Sequence, residues 1–296
     1  MEFIVTPFHV EDITRLHEAN ADGVVVATPF FSARGAAVFT LEELVQLRSL
    51  TTAMNMKLYV LVNRFFMENE LEKLREHLRY LKKLAVDGIY YGDESVLYEA
   101  KKLEMEHLLI YSPDTLTTSS QDVQYYLDEG ISMVTISKDI TLEETCHIAK
   151  QVKGECEVIL HGRLNIMHSK RRLLSNYFDF LGKKVDVFNK KDIYLMEETR
   201  DEHMPIVEDD LGTHVFSGYT LVSFEEIKQL AQSGIRHVRI DGIFHDLDYV
   251  CKALSLYQAV LSNEMSGAQA KEKFDKCYPD DHATSGFYYV KTSKVK

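Results

Sequence analysis

A histidine followed by a glycine, His161-Gly162, is the pair in this sequence best suited to chemistry. Imidazole exchanges protons near neutral pH, and glycine lets a backbone approach a ligand closely. The pair predicts a proton-transfer group at a ligand site, with hydrogen bonding inside the surrounding chain as the competing interpretation. Asp241 and Asn63 complete the candidate catalytic residues, since each also follows directly on a short apolar run.

Other polar side chains stand where further apolar runs end. Residues that directly follow the strands of a barrel surround its mouth. We therefore expect substrate contacts from Arg64, Asp93, Ser112 and Arg163. For Asp93 and Asp241, capping of the segment that follows is the competing interpretation. Three more residues share this position in the pattern: Asp114, Ser137 and Lys138.

A basic run, His168-Ser169-Lys170-Arg171-Arg172, could contact phosphate groups. Arginine offers forked hydrogen bonds to phosphate oxygens, and Tyr177, a few residues later, could stack on an unpaired base. Lys170, Arg171, Arg172 and Tyr177 are thus candidate RNA-binding residues. A solvated helix face is the competing interpretation of such a run.

Segments with strand patterns and segments with helix patterns alternate along the chain, and they must position these residues. Leucines recur at helical spacing from Leu71 to Leu84, and apolar residues do so from Leu247 to Leu261. Repeated strand–helix units predict a parallel sheet, and eight of them predict a (β/α)8 TIM-like barrel. The predicted strands are 3–5, 24–27, 58–62, 89–91, 108–111, 133–136, 157–160 and 237–240.

The connection between the seventh and eighth strands is much longer than the others. Residues 161–223 are predicted to form a charged insertion on the C-terminal rim of a single barrel domain, residues 1–262. Residues 263–296 are predicted to be a C-terminal extension, with an added strand or a partner-docking segment at 287–290.

The chain of 296 residues is acidic, with a formal net charge of −12. This balance argues against a protein that coats nucleic acid unaided. The insertion is polarised, however: segment 161–191 has eight Lys/Arg and two acids, whereas 192–210 has eight acids and one basic residue, Arg200. We interpret Arg200 as an ion-pair centre. A local basic patch remains available for RNA.

Several functional classes lack their usual motifs. The sequence has no Gly-x-Ser-x-Gly elbow, His-Glu-x-x-His zinc motif, P-loop or Gly-x-Gly-x-x-Gly fingerprint. The four cysteines are too widely spaced for a metal knuckle, so we expect reduced thiols and no metal site. No apolar run has the length of a membrane helix and no leader is visible, which predicts a cytoplasmic protein.

The segment from Glu157 to Tyr177 resembles the signature of the collagenase-like peptidase family U32. That signature has a Glu, apolar residues and His-Gly, then a Cys, then Ser-Gly-Arg-Cys-Leu-Leu-Ser. Here His161-Gly162, Ser169, Arg171 and Leu173-Leu174-Ser175 follow the pattern. Weaker similarity extends over most of the chain, at residues 60–63, 111–112, 137–139, 204–209, 239–242 and 285–287.

The two motif cysteines of the family are replaced in this chain, by Asn165 and Arg172. Hydroxylating members of the family hold an iron–sulfur cluster on four cysteines, and cluster ligation requires thiolates. The resemblance therefore implies a paralogue that binds no cofactor itself.

Branches of the family act in tRNA wobble-uridine hydroxylation and other hydroxylations, and short members often accompany a longer, cysteine-bearing relative. The resemblance thus implies an auxiliary subunit in 5-hydroxyuridine formation, with the longer paralogue and tRNA as partners. A collagenase-like peptidase is the alternative, with His161 as general base oriented by Asp241 or Glu157. A non-catalytic scaffold subunit is the third interpretation.

Overall fold

The structure is a computed structural model that describes residues 1–198 and 202–291. The candidate ion-pair residue Arg200 and residues 292–296 of the predicted extension lie outside the described residues. The strands are β1 Glu2–Val5, β2 Gly23–Ala27, β3 Lys57–Val62, β4 Gly88–Tyr91, β5 Leu109–Tyr111, β6 Met133–Thr135, β7 Glu155–Ser169, β8 Tyr194–Met196, β9 His203–Asp209, β10 Gly212–Val222, β11 His237–Ile240 and β12 Ala283–Thr284.

Helices alternate with the strands through most of the chain. The α-helices are α1 Asp12–Glu18, α2 Leu41–Ala53, α3 Leu71–Leu84, α4 Glu94–Lys102, α5 Ser120–Asp128, α6 Leu142–Gln151, α7 Leu173–Phe180, α8 Ile227–Gln232, α9 Leu247–Leu261 and α10 Gly267–Cys277. Short 3₁₀ helices cover Glu68–Glu70, Glu106–Leu108 and Pro279–Asp281. The two predicted apolar stripes correspond to α3 and α9, whose central leucines are buried and whose terminal leucines are partly buried.

Eight parallel strands close into a barrel. Strands β1 to β7 pair in sequence order, and β11 pairs in parallel with both β7 and β1. The predicted TIM-like barrel is therefore confirmed. Large side chains fill its interior, among them Tyr59, Tyr90 and Met133, and a second apolar layer packs between the sheet and the helices.

Strand β7 is much longer than predicted, Glu155–Ser169 instead of 157–160. Its second half leaves the barrel and pairs antiparallel with β10, which also pairs with β9, and β9 pairs with β8. The insertion is thus a small antiparallel sheet that grows directly from a barrel strand. The apolar run that predicts the strand ends at Leu160, and the mixed residues beyond it do not indicate continued pairing with a distant strand, so the sequence pattern could not place this extension.

The C-terminal tail also differs from its prediction. Residues 287–290 form turns and not a strand, whereas β12, at Ala283–Thr284, pairs in parallel with β10. Tyr288 is buried, and its carbonyl accepts a hydrogen bond from Leu142 N at 3.1 Å. This part of the tail packs on its own chain. Within the described residues, no helix has both the length and the apolar character needed to cross a membrane.

Candidate functional site at the barrel mouth

A cavity of about 230 Å³ opens at the C-terminal end of the barrel. Loops after β2 to β6 line one side of it, and the extension of β7 lines the other. Residues from six elements converge there because parallel strands all end at the same rim. The residues that matter below are Arg34, Asn63, Phe65, Ser112, Asp114, Lys138, Asn165 and His168.

Charged groups at this rim neutralise one another. The Arg34 guanidinium pairs with the Asp114 carboxylate, and Lys138 Nζ donates to the Asp114 carbonyl oxygen. Burial raises the pKa of Asp114, but the charges of Arg34 and Lys138 outweigh it and leave the pKa below its usual range. The rim next to the cavity therefore offers N–H donors without a strong net charge.

Below the cavity, a buried ion pair forms the floor of the mouth. The Glu157 carboxylate, fully buried, accepts hydrogen bonds from Tyr90 OH and from Thr135 Oγ1 at 3.0 Å. Arg239 Nε lies 3.9 Å from Glu157 Oε1 without a hydrogen bond, and its guanidinium stacks 4.8 Å above the Tyr90 ring. Arg239 Nη2 reaches Ser112 Oγ at 3.4 Å. This network closes the barrel interior beneath any ligand.

His161 does not face the mouth, and the expectation that it would is wrong. Arg239 pairs with Ile159 but the next residue, Ile240, pairs with His161, so β7 carries a bulge at this point. An extra residue in a strand reverses the inward–outward alternation beyond it. The His161 side chain consequently points outward, between the sheet and the helices.

The imidazole of His161 is fully buried in an aromatic box. Its Nε2 lies 2.9 Å from Tyr249 OH and its Nδ1 3.2 Å from Tyr257 OH, with Phe224 and Phe274 against the ring. Burial lowers the pKa of His161 to about 3. The two tyrosines, and not Asp241 or Glu157, orient this ring, so the arrangement expected for a general base is absent here.

Gly162 has a structural reason for its lack of a side chain. Its φ is +129°, and a Cβ built there would lie 2.5 Å from the Asp241 carbonyl oxygen. The close backbone approach at this glycine is therefore made to Asp241, the residue that follows β11.

Three predicted residues are occupied by structural contacts. The Asn63 amide bonds both the N–H and the carbonyl of Ala33, at 2.9 and 3.1 Å. Arg64 is buried and pairs with Glu70 at 2.6 Å. Asp93 caps α4 through Ser95 N and also accepts from Phe66 N, both at 2.8 Å. The side chains of Arg64 and Asp93 are therefore engaged in local structure, and their substrate contacts stay a prediction, whereas Asn63 lines the cavity while bracing the loop after β2.

Asp241, Ser112 and Arg163 do lie at the mouth. One Asp241 oxygen accepts from Ile243 N at 2.9 Å in a local turn, and the helix that follows, α9, is capped by Asp246 and not by Asp241. Burial raises the pKa of Asp241 and outweighs the opposing charge of Arg239. Arg163 Nη1 donates to the Ser217 carbonyl at 3.0 Å, which joins β7 to β10 within the insertion.

The basic run lies on the insertion. Lys170 Nζ donates to the Phe65 carbonyl at 3.0 Å, and Arg172 lies 3.3 Å from Asp210. Arg171 and Tyr177 are exposed to solvent. Asn165, at the other family cysteine position, donates to the carbonyls of Met167 and Val215 at 3.1 and 3.2 Å.

A chain of side chains that sequence reasoning missed leads into the cavity. His214 Nε2 lies 3.3 Å from Asp209 Oδ1, and His214 Nδ1 lies 2.9 Å from His168 Nδ1. His168 Nε2 is buried at the cavity without a hydrogen-bond partner among the described residues. These three residues lie on β9, β10 and β7, so only the register of the insertion sheet brings them together. In the sequence, the only indication of this cluster was the histidine in the basic run, His168.

The chain is similar to a protein family, to named relatives and to a solved structure. The model of peptidase family U32 matches residues 9–296. The chain is 28% identical over 263 residues to tRNA hydroxylation protein P2 of Bacillus subtilis (strain 168), covering 88% of this chain and 85% of that protein. It is 23% identical over 278 residues to tRNA hydroxylation protein P1 of the same organism, covering 90% and 66%. The solved structure of the U32 peptidase Mk0906 matches with a TM-score of 0.52 at 14% identity, over 81% of this chain and 92% of that one, and supports the fold.

Proposed function

Because the chain belongs to peptidase family U32, we propose that it is a cluster-free auxiliary subunit of tRNA wobble-uridine hydroxylation, acting with a longer paralogue. The similarity to tRNA hydroxylation protein P2 carries this proposal, because it covers nearly the full length of both chains. The match to protein P1 covers only about two thirds of that longer relative. A short chain beside a longer one is the pairing that the proposal requires.

The side chains at the family's cysteine positions support a role without a cluster. Asn165 and Arg172 offer an amide and a guanidinium, neither of which supplies a thiolate. Their side chains are already bonded, Asn165 to two carbonyls and Arg172 to Asp210. The donor set does not fit an iron–sulfur cluster, so the redox chemistry falls to the paralogue.

The insertion carries the surface that we assign to partner binding. Its segment 173–196 exposes many apolar side chains, of which Phe180 is 87% exposed, Met196 64% and Tyr177 57%. Soluble monomers rarely expose so many large apolar groups in one segment. Lysines are interspersed among them, at positions 183, 184, 190 and 191. An apolar surface with basic residues suits a contact shared by a protein partner and RNA.

Replacing Phe180 with aspartate should weaken the complex at least about tenfold, because a charge would then be buried at the centre of an apolar contact. Tagged protein purified from its host should bring down the longer paralogue, and the F180D variant should bring down much less. Tyr98→Asp is the matched control, since Tyr98 is 64% exposed but lies on α4, away from the insertion. Equal recovery of the paralogue with both variants would contradict the assignment of this surface.

A further inference from the structure

The loop after β5, residues 112–117, lies across the mouth of the barrel between three cavities. Asp114 lines the cavity of about 230 Å³ at the mouth and also two smaller cavities, of about 50 and 10 Å³. We propose that residues 113–116 form a lid that opens to join these cavities into one ligand site, with the Arg34–Asp114 ion pair as its latch. Such a lid goes beyond the proposed function, since it requires neither RNA nor a partner.

The two smaller cavities reach the floor of the mouth. Ile159 lines both of them, and Tyr90 and Arg239 line the larger of the two. Ligand pockets in proteins usually measure about 300–1,000 Å³, so cavities of this size hold water molecules and not a ligand. Ligands of barrel proteins bind at this end of the barrel. The floor residues can therefore meet a ligand only once the loop between the cavities moves.

The backbone of this loop is strained. Asp114, Leu116 and Thr117 have φ angles of +65°, +66° and +54°, in the left-handed region that residues other than glycine rarely adopt. Thr117 is the only β-branched residue with a positive φ in the part of the chain that the structure describes. Such strain persists only where surrounding contacts maintain it. Loss of those contacts should therefore release the loop.

The two ends of the loop are anchored and its middle is not. At one end Ser112 N donates to the Tyr91 carbonyl at 2.7 Å. At the other, Thr117 is 1% exposed and its hydroxyl donates to the Thr135 carbonyl at 2.9 Å. Residues 113–116 make no backbone–backbone hydrogen bond to any described residue. The middle of the loop is thus the part that can move while both ends stay in place.

Two cationic side chains tie down the middle of the loop. The Arg34 guanidinium pairs with the Asp114 carboxylate, and Lys138 Nζ donates to the Asp114 carbonyl oxygen. Arg34 belongs to the loop after β2 and has a φ of +60°, so the latch joins two strained loops. Solvent screens the pair only weakly, because its side chains are 9% and 21% exposed. Removing the charge of Asp114 should therefore favour the open form.

Reaction of the full-length variant Ile159→Cys with N-phenylmaleimide, followed by peptide mass spectrometry, tests the lid. The new thiol would lie in the two smaller cavities, and the reagent is too large for either of them, so labelling requires the lid to open. Adding Asp114→Asn retains the side-chain shape and tolerates a left-handed φ, but removes the charge. We expect labelling at position 159 to become at least about tenfold faster, the effect of losing a charge-assisted hydrogen bond.

Two controls distinguish lid opening from general loosening of the barrel. Cys156 lies on the same strand but is buried in the apolar layer between the sheet and the helices, so its labelling should not change. Glu129→Gln removes the charge of another partly exposed acid, which pairs with Lys101 at the end of α5. This variant should leave the labelling rate at position 159 unchanged.

Equal labelling rates of Ile159→Cys with and without Asp114→Asn would overturn the lid, and so would an equal acceleration at Cys156. Labelling of Ile159→Cys as fast as that of the exposed Cys277 would also overturn it, because the cavities would then already be open. Leu61→Cys gives the same comparison if the first variant fails to fold, since Leu61 lines the larger of the two inner cavities.

Discussion

Replacing Glu157 with alanine should lower the free energy of unfolding by about 3–5 kcal/mol, because removal of one partner of a buried ion pair leaves an uncompensated charge. That charge is the guanidinium of Arg239, which is 6% exposed inside the barrel. Tyr90 OH and Thr135 Oγ1 would also lose their acceptor. Urea unfolding followed by circular dichroism measures the change.

A second variant separates charge from packing. Glu157→Leu combined with Arg239→Met removes both charges and should recover most of the lost stability. Glu72→Ala is the exposed control, since the Glu72 side chain is 64% exposed in its pair with Arg75, and it should leave the unfolding midpoint unchanged. A double variant no more stable than Glu157→Ala would contradict the role given to the buried charge.

Acid should destabilise the protein through His161. The folded-state pKa is lowered from 6.5 to about 3 by burial, so below pH 6.5 the unfolded chain binds a proton that the folded chain does not. The contribution is complete above pH 6.5 and is lost as the pH falls toward 3, at about 1.4 kcal/mol per pH unit.

The variant His161→Phe isolates this contribution. It keeps an aromatic ring in the box, and Tyr249 OH still donates to Asp281 while Tyr257 OH still donates to the Leu160 carbonyl. Its free energy of unfolding should fall less steeply than that of the wild type between pH 6 and pH 4. Parallel slopes for the two proteins in urea titrations at each pH would show that His161 is not the titrating group.

The barrel was predictable because its strands and helices obey simple periodicities. The stripes in α3 and α9 and the short apolar runs each identify an element without knowledge of its neighbours. The extension of β7 was not predictable, because its pairing partner changes from β11 to β10 and local residue patterns do not encode pairing with a distant strand.

The site was predictable only in part, for a related reason. Ser112 and Asp241 lie at the mouth because they directly follow strands β5 and β11, whereas Arg163 lies there on the extension of β7. His161 follows the predicted strand 157–160 as well, yet one bulged residue turns it outward, and the adjacent Gly162 was interpreted as a place for a ligand to approach and not as the sign of a bulge. The Asp209–His214–His168 chain depends on register across three strands, which separate sequence segments do not reveal.

The most direct test of the proposed function is the amount of 5-hydroxyuridine in tRNA from a strain that lacks this gene, measured by nucleoside mass spectrometry. We expect the nucleoside to disappear or fall severely while the longer paralogue is still present. The wild-type gene supplied on a plasmid should restore it. An unchanged level of 5-hydroxyuridine in the deletion strain would contradict the proposal that this chain is a subunit of the tRNA-hydroxylating system.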